Sequence, residues 1–319
     1  KSQLQKRGSD LLVKRGDPAK EIAALARAYN ANHVYATQEV TGEETQQEET
    51  LNQNLAESGK ELHLYWQSTL FHVDDLVMPV SELPDVFTSF RKKNEKYATI
   101  RPEVETPLQI TSPEIEATKI PKLTYFGYSE MDAKQDQRRA LELKGGEQEA
   151  WHRLNRYFWE SDQLKNYKWM RNGLLGEDYS SKFSPWLAHG CLSPRSIYHE
   201  VKRYEEERKK NISTYWLIFE LIWRDYFRYV CQKYGHNVFL PGGIKGQPLD
   251  TSANKEKYES WRKGETGQPF VDANMKELFY TGFMSNRGRQ NVASYLVKDL
   301  GVHWWWGAAW FESQLIDYD

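Results

Sequence analysis

Between Lys92 and Lys144 the chain carries Pro102, Pro107, Pro113 and Pro121, many charges and little periodicity. Proline at that density removes backbone donors and breaks regular elements, so extended chain is favoured there. No single sheet or bundle runs through such a stretch. It predicts two domains, for which 319 residues are enough. The reading is an α/β domain over 1–92, a linker over 93–143 wrapping over the surface, and an all-α domain over 144–319.

Before the linker, apolar runs alternate with helical periods. Leu11–Arg15 reads as a short buried strand. Pro18–Asn30 places Ile22, Leu25, Ala26 and Tyr29 at helical spacing. Strand His33–Thr37, a Glu-rich helix around Glu43–Glu57 and strand Glu61–Trp66 follow. Strands alternating with helices of this length predict a parallel sheet, which binds ligands at the carboxyl ends of its strands. Glu39 lies just past one such end; it reads equally as a solvated loop carboxylate. His72, Asp74 and Asp75 form a polar cluster, but one such group with no second nearby is weak evidence for a metal.

After the linker the pattern is helical throughout. Glu149–Trp159 is amphipathic and aromatic, and Tyr167, Trp169 and Arg171 precede a Gly-rich turn. In Tyr179-Ser-Ser-Lys-Phe-Ser-Pro-Trp186, Ser184 is predicted as N-cap with Pro185 at the first helical position. The serines and Lys182 ahead of that helix start suit a diphosphate, although a capped helix alone is usually only capped. Ser193-Pro194 starts another helix, whose charge run Glu200–Lys210 reads as solvated surface. In Thr214–Tyr234, Trp216, Glu220, Trp223 and Phe227 share one face. An acid on such a face is costly to bury unless paired. Either Arg224, four residues on, pairs with Glu220, or the acid faces a substrate. Val271–Tyr280 reads as a helix stopping at Gly282, and Asn286–Leu300 as one stopping at Gly301. Asn286, Arg287, Arg289 and Gln290 therefore crowd the start of a buried helix. That is either a cap with surface arginines or a site for an anion or polar ligand.

Composition bounds the function. Aromatic content is 14 %, with 12 Trp, 19 Tyr and 13 Phe, enough to fill a core, hold a flat ligand or relay electrons. A net charge of −2 gives no global nucleic-acid signature, so any DNA face must be local. Two cysteines give no disulfide framework and fit a reducing compartment, whether cytoplasm, nucleus or organelle interior. No apolar run reaches the roughly 20 residues of a membrane span.

Thr281-Gly-Phe-Met-Ser-Asn-Arg-Gly-Arg-Gln290, with Glu220-Leu-Ile-Trp-Arg-Asp-Tyr-Phe227, Leu315-Ile-Asp-Tyr-Asp319 and Tyr179–Ser184, resembles the photolyase/cryptochrome family, most closely its DASH-type cryptochromes. The resemblance runs over nearly the whole chain. It implies an α/β antenna domain followed by a helical FAD domain. It places Tyr167, Ser180, Ser181, Phe183 and Ser184 along the diphosphate and ribityl of FAD, and Arg224 near the flavin. Arg289 would pair with Asp317 beside the isoalloxazine, and Asp319 would contact its polar edge. Glu220 and Trp223 would face a pyrimidine dimer, Asn286 would reach between flavin and substrate, and Gln290 takes the DASH choice at its position. Glu39 would contact a methenyltetrahydrofolate antenna. Trp304 matches the middle tryptophan of a three-member relay; the outer one is replaced by Thr251, and the inner one would lie beyond Asp319. No metal is implied.

The function so implied is a carbon–carbon lyase, a deoxyribodipyrimidine photo-lyase. A monomeric enzyme would repair cyclobutane pyrimidine dimers in single-stranded DNA, with excited reduced FAD lending an electron to the dimer. The rivals are a blue-light receptor that binds FAD without repair, and a non-catalytic nucleic-acid-binding protein. By the same resemblance, more sequence is expected beyond both ends: the first strands of the sheet, and a segment completing the flavin pocket.

Overall fold

In the computed structural model, which describes residues 1–115, 118–129, 131 and 134–319, contacts divide the chain into two units. The first comprises Lys1–Gln67 and Arg101–Lys134, the second Ser68–Ile100 and Gln135–Asp319.

The first unit is built on a parallel strand pair, β1 (His33–Thr37) and β2 (Glu61–Tyr65), with Val34 opposite Leu62. Helix α1 (Pro18–Ala28) starts where the Asp17 carboxylate accepts from the Ala19 and Lys20 amides, with Pro18 in the first turn. Its small residues Ala19, Ala23 and Ala26 let it close on Leu51 and Leu55 of α2 (Gly42–Ala56), with Val34 and Leu62 packed against that core. Leu11–Arg15, expected as a buried strand, is not one. Leu11 is 39 % exposed, and the Val13 amide donates to the Thr118 hydroxyl instead of entering the sheet.

The expected boundaries at 92 and 143 differ from the observed units. Ser68–Ile100 belongs with the helical part because it is stitched to a long helix, α6, which runs over Ile212–Tyr234. The buried Asp225 carboxylate of α6 accepts from the Leu70 and Phe71 amides at 2.9 and 2.8 Å, and Tyr229 donates to the Phe71 carbonyl at 2.7 Å. Helix α3 (Phe87–Tyr97) runs past residue 92 and lays Phe87 and Phe90 on α6 rings. Residues 116, 117, 130, 132 and 133 of the expected linker lie outside the described residues.

The second unit continues through α4 (Glu147–Asn155), α5 (Pro194–Glu207), α6, α7 (Lys255–Lys263), α8 (Pro269–Thr281), α9 (Asn286–Ser294) and α10 (Trp304–Gln314). Asn211 and Thr214 cap α6 reciprocally, each side chain accepting from the other residue's amide. Around α7–α10 a core of Trp261, Met275, Leu278, Met284, Val292 and Leu296 is closed to solvent. Two expected helices change character at their ends: α4 passes into a π turn at Arg156–Glu160 and α9 into one at Tyr295–Asp299. Ser184 is not an N-cap. Phe183 is already in helical conformation and its carbonyl receives the Trp186 and Leu187 amides, so Ser184 sits inside the turn. Among the described residues no helix is long and apolar enough to cross a membrane.

Candidate flavin site

The site is assembled from the start of α9, where Ser285 caps the helix by accepting from the Gly288 amide at 3.0 Å. Gly288 is required there: a Cβ would stand 2.1 Å from Oδ1 of Asn274 in α8. Arg289 follows one residue on. Its Nε donates to the Met284 carbonyl at 2.9 Å, and its terminal nitrogen reaches Asp317 Oδ2 at 2.8 Å. Asp317 is held by its neighbour, since the Ile316 amide donates to the carbonyl of Gly282, which turns the chain at φ +67°. The Asp317 side chain has no solvent exposure, and its Oδ1 has no hydrogen-bond partner among the described residues.

A second group faces the same ring as Arg289. The guanidinium lies 5.4 Å from the centre of Phe283, and Lys182 Nζ lies 5.8 Å from it. Lys182 is 4 % exposed, adopts φ +53°, and places its amine 3.1 Å from the Tyr179 ring centre, with no hydrogen-bond partner. Burial, followed by the Arg153 charge, pushes that amine down to about 7. Glu277 is pushed up by burial, with Lys182 and Arg289 opposing.

Arg153 of α4 organises the loop that carries the serines. It donates to the carbonyls of Ser181 at 3.0 Å, Ser180 at 3.2 Å and Glu177 at 3.2 Å, and pairs with Asp178 at 2.8 Å. Tyr167, Ser181 and Phe183 are buried, and Ser180 and Ser184 partly so. Burial pushes the Tyr167 phenol up, while a bond with Ser181 opposes this. A cavity of about 520 Å³ opens beside Arg153 and Glu177, lined also by Arg139, Lys144, His152 and Trp186 among others. None of the expected site residues lines it.

On α6 the partner of Glu220 is Arg171, at 2.7 Å, and not Arg224. Burial pushes the Glu220 carboxyl up against the pull of Arg171. Arg224 instead pairs with Asp319 at 2.6 Å and donates to the Ser68 carbonyl; Arg228 stands 3.9 Å from the same carboxylate. Trp223 has Phe87 stacked on one face at 3.5 Å and Phe227 at 5.3 Å. Asn286 and Gln290 are exposed, one turn apart on α9. The Trp304 indole donates to the Pro241 carbonyl at 3.0 Å, and its ring meets Trp305 edge-on. Trp305 stacks on His303, which bonds Thr251. In the first unit, Glu39 follows β1, and its amide donates to Glu48 at 2.7 Å.

The arrangement holds a buried amine and a buried carboxylate oxygen beside aromatic rings, each without a hydrogen-bond partner among the described residues. It fits a flat ligand that carries both an anionic group and N–H donors. Sequence reasoning missed Arg153 and Glu277, and gave Arg171 no role. The local signal that could have found Arg153 is the acid pair Glu177-Asp178, which it meets.

A family model described as the FAD binding domain of DNA photolyase matches residues 216–319, and one described as DNA photolyase matches residues 1–110. Cryptochrome DASH of Synechocystis sp. is 52 % identical over 319 residues, covering 99 % of this chain, which spans 64 % of that protein. Cryptochrome DASH of Natronomonas pharaonis is 48 % identical over 320 residues, covering all of this chain and 67 % of its own length. The chain belongs to the photolyase/cryptochrome family, as a DASH-type cryptochrome. A crystal structure of the Synechocystis sp. PCC6803 cryptochrome superposes on the whole chain with a TM-score of 0.94, and the chain covers 66 % of it. The expected fold, a parallel α/β part followed by a helical FAD domain, is the fold of that DASH relative.

Proposed function

We propose that the full-length protein holds FAD in the pocket of Lys182, Arg289 and Asp317, and repairs cyclobutane pyrimidine dimers in single-stranded DNA. The observation that carries the flavin is the complementary orphan pair, Lys182 Nζ and Asp317 Oδ1. A diphosphate oxygen would give the first a partner, and a ring N–H the second. Tyr167, Ser180, Ser181, Phe183 and Ser184 would line the dinucleotide, on a loop fixed by Arg153. Reduced flavin, when bound there, would supply the light-driven electron that opens the dimer, and the electron would return to it once the ring has split.

The chain's own part is to position and to exclude water. Glu220, raised by burial, would hold a proton toward a dimer carbonyl. Trp223, with one face on Phe87, would offer its remaining edge to a flipped base. Asn286 and Gln290 would meet substrate from the exposed side of α9. Arg224 and Asp319, already paired, would frame the flavin edge. Glu39, at the carboxyl end of β1, would contact the folate antenna. The free Cys191 and Cys231 fit a reducing compartment, and the enzyme would act as a monomer.

The receptor reading keeps two specific observations: Arg171 ties Glu220, and Phe87 covers Trp223. One assay separates the two. Full-length protein should be yellow with flavin absorption, and should restore thymine-dimer oligonucleotides under blue light, faster on single strands than on duplex. Flavin absorption with no light-dependent repair would establish the receptor. A colourless preparation would remove both readings.

A further inference from the structure

The open face of the strand pair carries ligating side chains in mutual contact. His33 stands opposite Glu61, and Tyr35 opposite His63. Alternation along the strands sends Val34 and Leu62 to the helices and His33, Glu61 and His63 to the other side. His33 Nδ1 lies 3.1 Å from His63 Nε2. A single oxygen of Glu61, Oε2, lies 3.2 Å from each of these nitrogens. Hydrogen bonds alone serve this triangle poorly. Two N–H groups aimed at one carboxylate oxygen leave their nitrogens facing each other, and a single N–H leaves lone pairs opposed.

One cation satisfies all three lone pairs at once. Ligands about 2.0–2.1 Å from a tetrahedral zinc ion stand roughly 3.3 Å from one another, close to the spacing seen here. Two imidazoles and a carboxylate suit zinc, and copper or nickel after it, in preference to calcium or magnesium. The side chains of His33 and Glu61 are 48 % and 64 % exposed, so the fourth corner opens to water. We infer that His33, Glu61 and His63 bind one zinc ion, with water as fourth ligand, clamping β1 to β2. The site is separate from the His72, Asp74 and Asp75 cluster, where His72 Nδ1 accepts the Asp74 amide.

The test uses metal-free full-length protein titrated with Zn²⁺ against a chromogenic chelator, and with Co²⁺ followed by visible absorption. The expected result is one equivalent of Zn²⁺ and an intense tetrahedral Co²⁺ spectrum without thiolate charge-transfer bands. His33→Gln or His63→Gln should lower affinity about 10–100-fold, a loss typical of damage to a metal site, and the double variant by more. The exposed His236→Gln should change nothing. Circular dichroism checks that the variants fold; if one does not, the cobalt spectrum of the parent still decides. The inference is overturned if the parent binds no stoichiometric zinc at micromolar concentration. It is equally overturned if a folded double variant binds as the parent does, or if thiolate bands place cobalt on Cys191 or Cys231.

Discussion

Lys182 is the residue that most sharply reports on the pocket. Its amine is held near 7 against an ordinary 10.5, so without flavin the folded state resists its charge. For a base lowered in this way, the penalty is full below about 7. It fades as pH rises toward 10.5, because there the unfolded chain binds the extra proton. Flavin-free protein should therefore gain stability between pH 7 and 10. Lys182→Met should flatten that gain and be more stable at pH 7 by a few kcal/mol, while weakening flavin binding. Denaturant melts of both proteins across this range check it; superimposable curves would mean that the amine is solvated. Arg153→Met tests the same pocket from beneath. Several buried donor bonds to the serine loop vanish, and flavin affinity should fall at least tenfold with the helices intact by circular dichroism.

At the scale of elements, α6 and α10 would carry the proposed photochemistry. Glu220→Ala should cut repair by about 10² or more while flavin stays bound, if the carboxyl is aimed at developing charge. Arg171→Met frees Glu220 from its partner and should raise its proton occupancy, shifting the repair–pH profile upward. On α10, the rings continue from Trp304 through Trp305 to His303, and Trp306 meets both His303 and Tyr258. Tyr258 thus lies on the Trp306 branch, not on a separate exit. Trp304→Phe should abolish flavin photoreduction in transient absorption, and Trp305→Phe with Trp306→Phe should slow it more than Tyr258→Phe. Much of this was legible in sequence. The period of α6, the Gly282 stop and the polar start of α9 follow from local spacing and capping, and the Arg289–Asp317 pair from resemblance. Partners across the fold were not. That Glu220 takes Arg171, that Phe87 covers Trp223, or that Asn274 demands Gly288 depends on how distant helices meet, which no spacing along one helix encodes.

In the whole molecule, the segment Ser68–Ile100 interrupts the first unit in sequence yet completes the second. Asp225 fastens it, its carboxyl pushed up to about 7 by burial even with the Leu70 and Phe71 amides donating to it. Asp225→Asn removes one acceptor and should cost about 1–3 kcal/mol in the unfolding of the helical unit. Hydrogen exchange should then rise in α3 and α6 and stay unchanged in β1 and β2; a uniform rise would show that the units melt as one. During synthesis the same connection imposes a wait. Leu70 leaves the ribosome 155 residues ahead of Asp225, an interval of roughly ten to thirty seconds at ordinary elongation rates. For that time Phe87 and Phe90 have no α6 to lie on, and the nascent chain carries a sticky segment that only its own later sequence can cover.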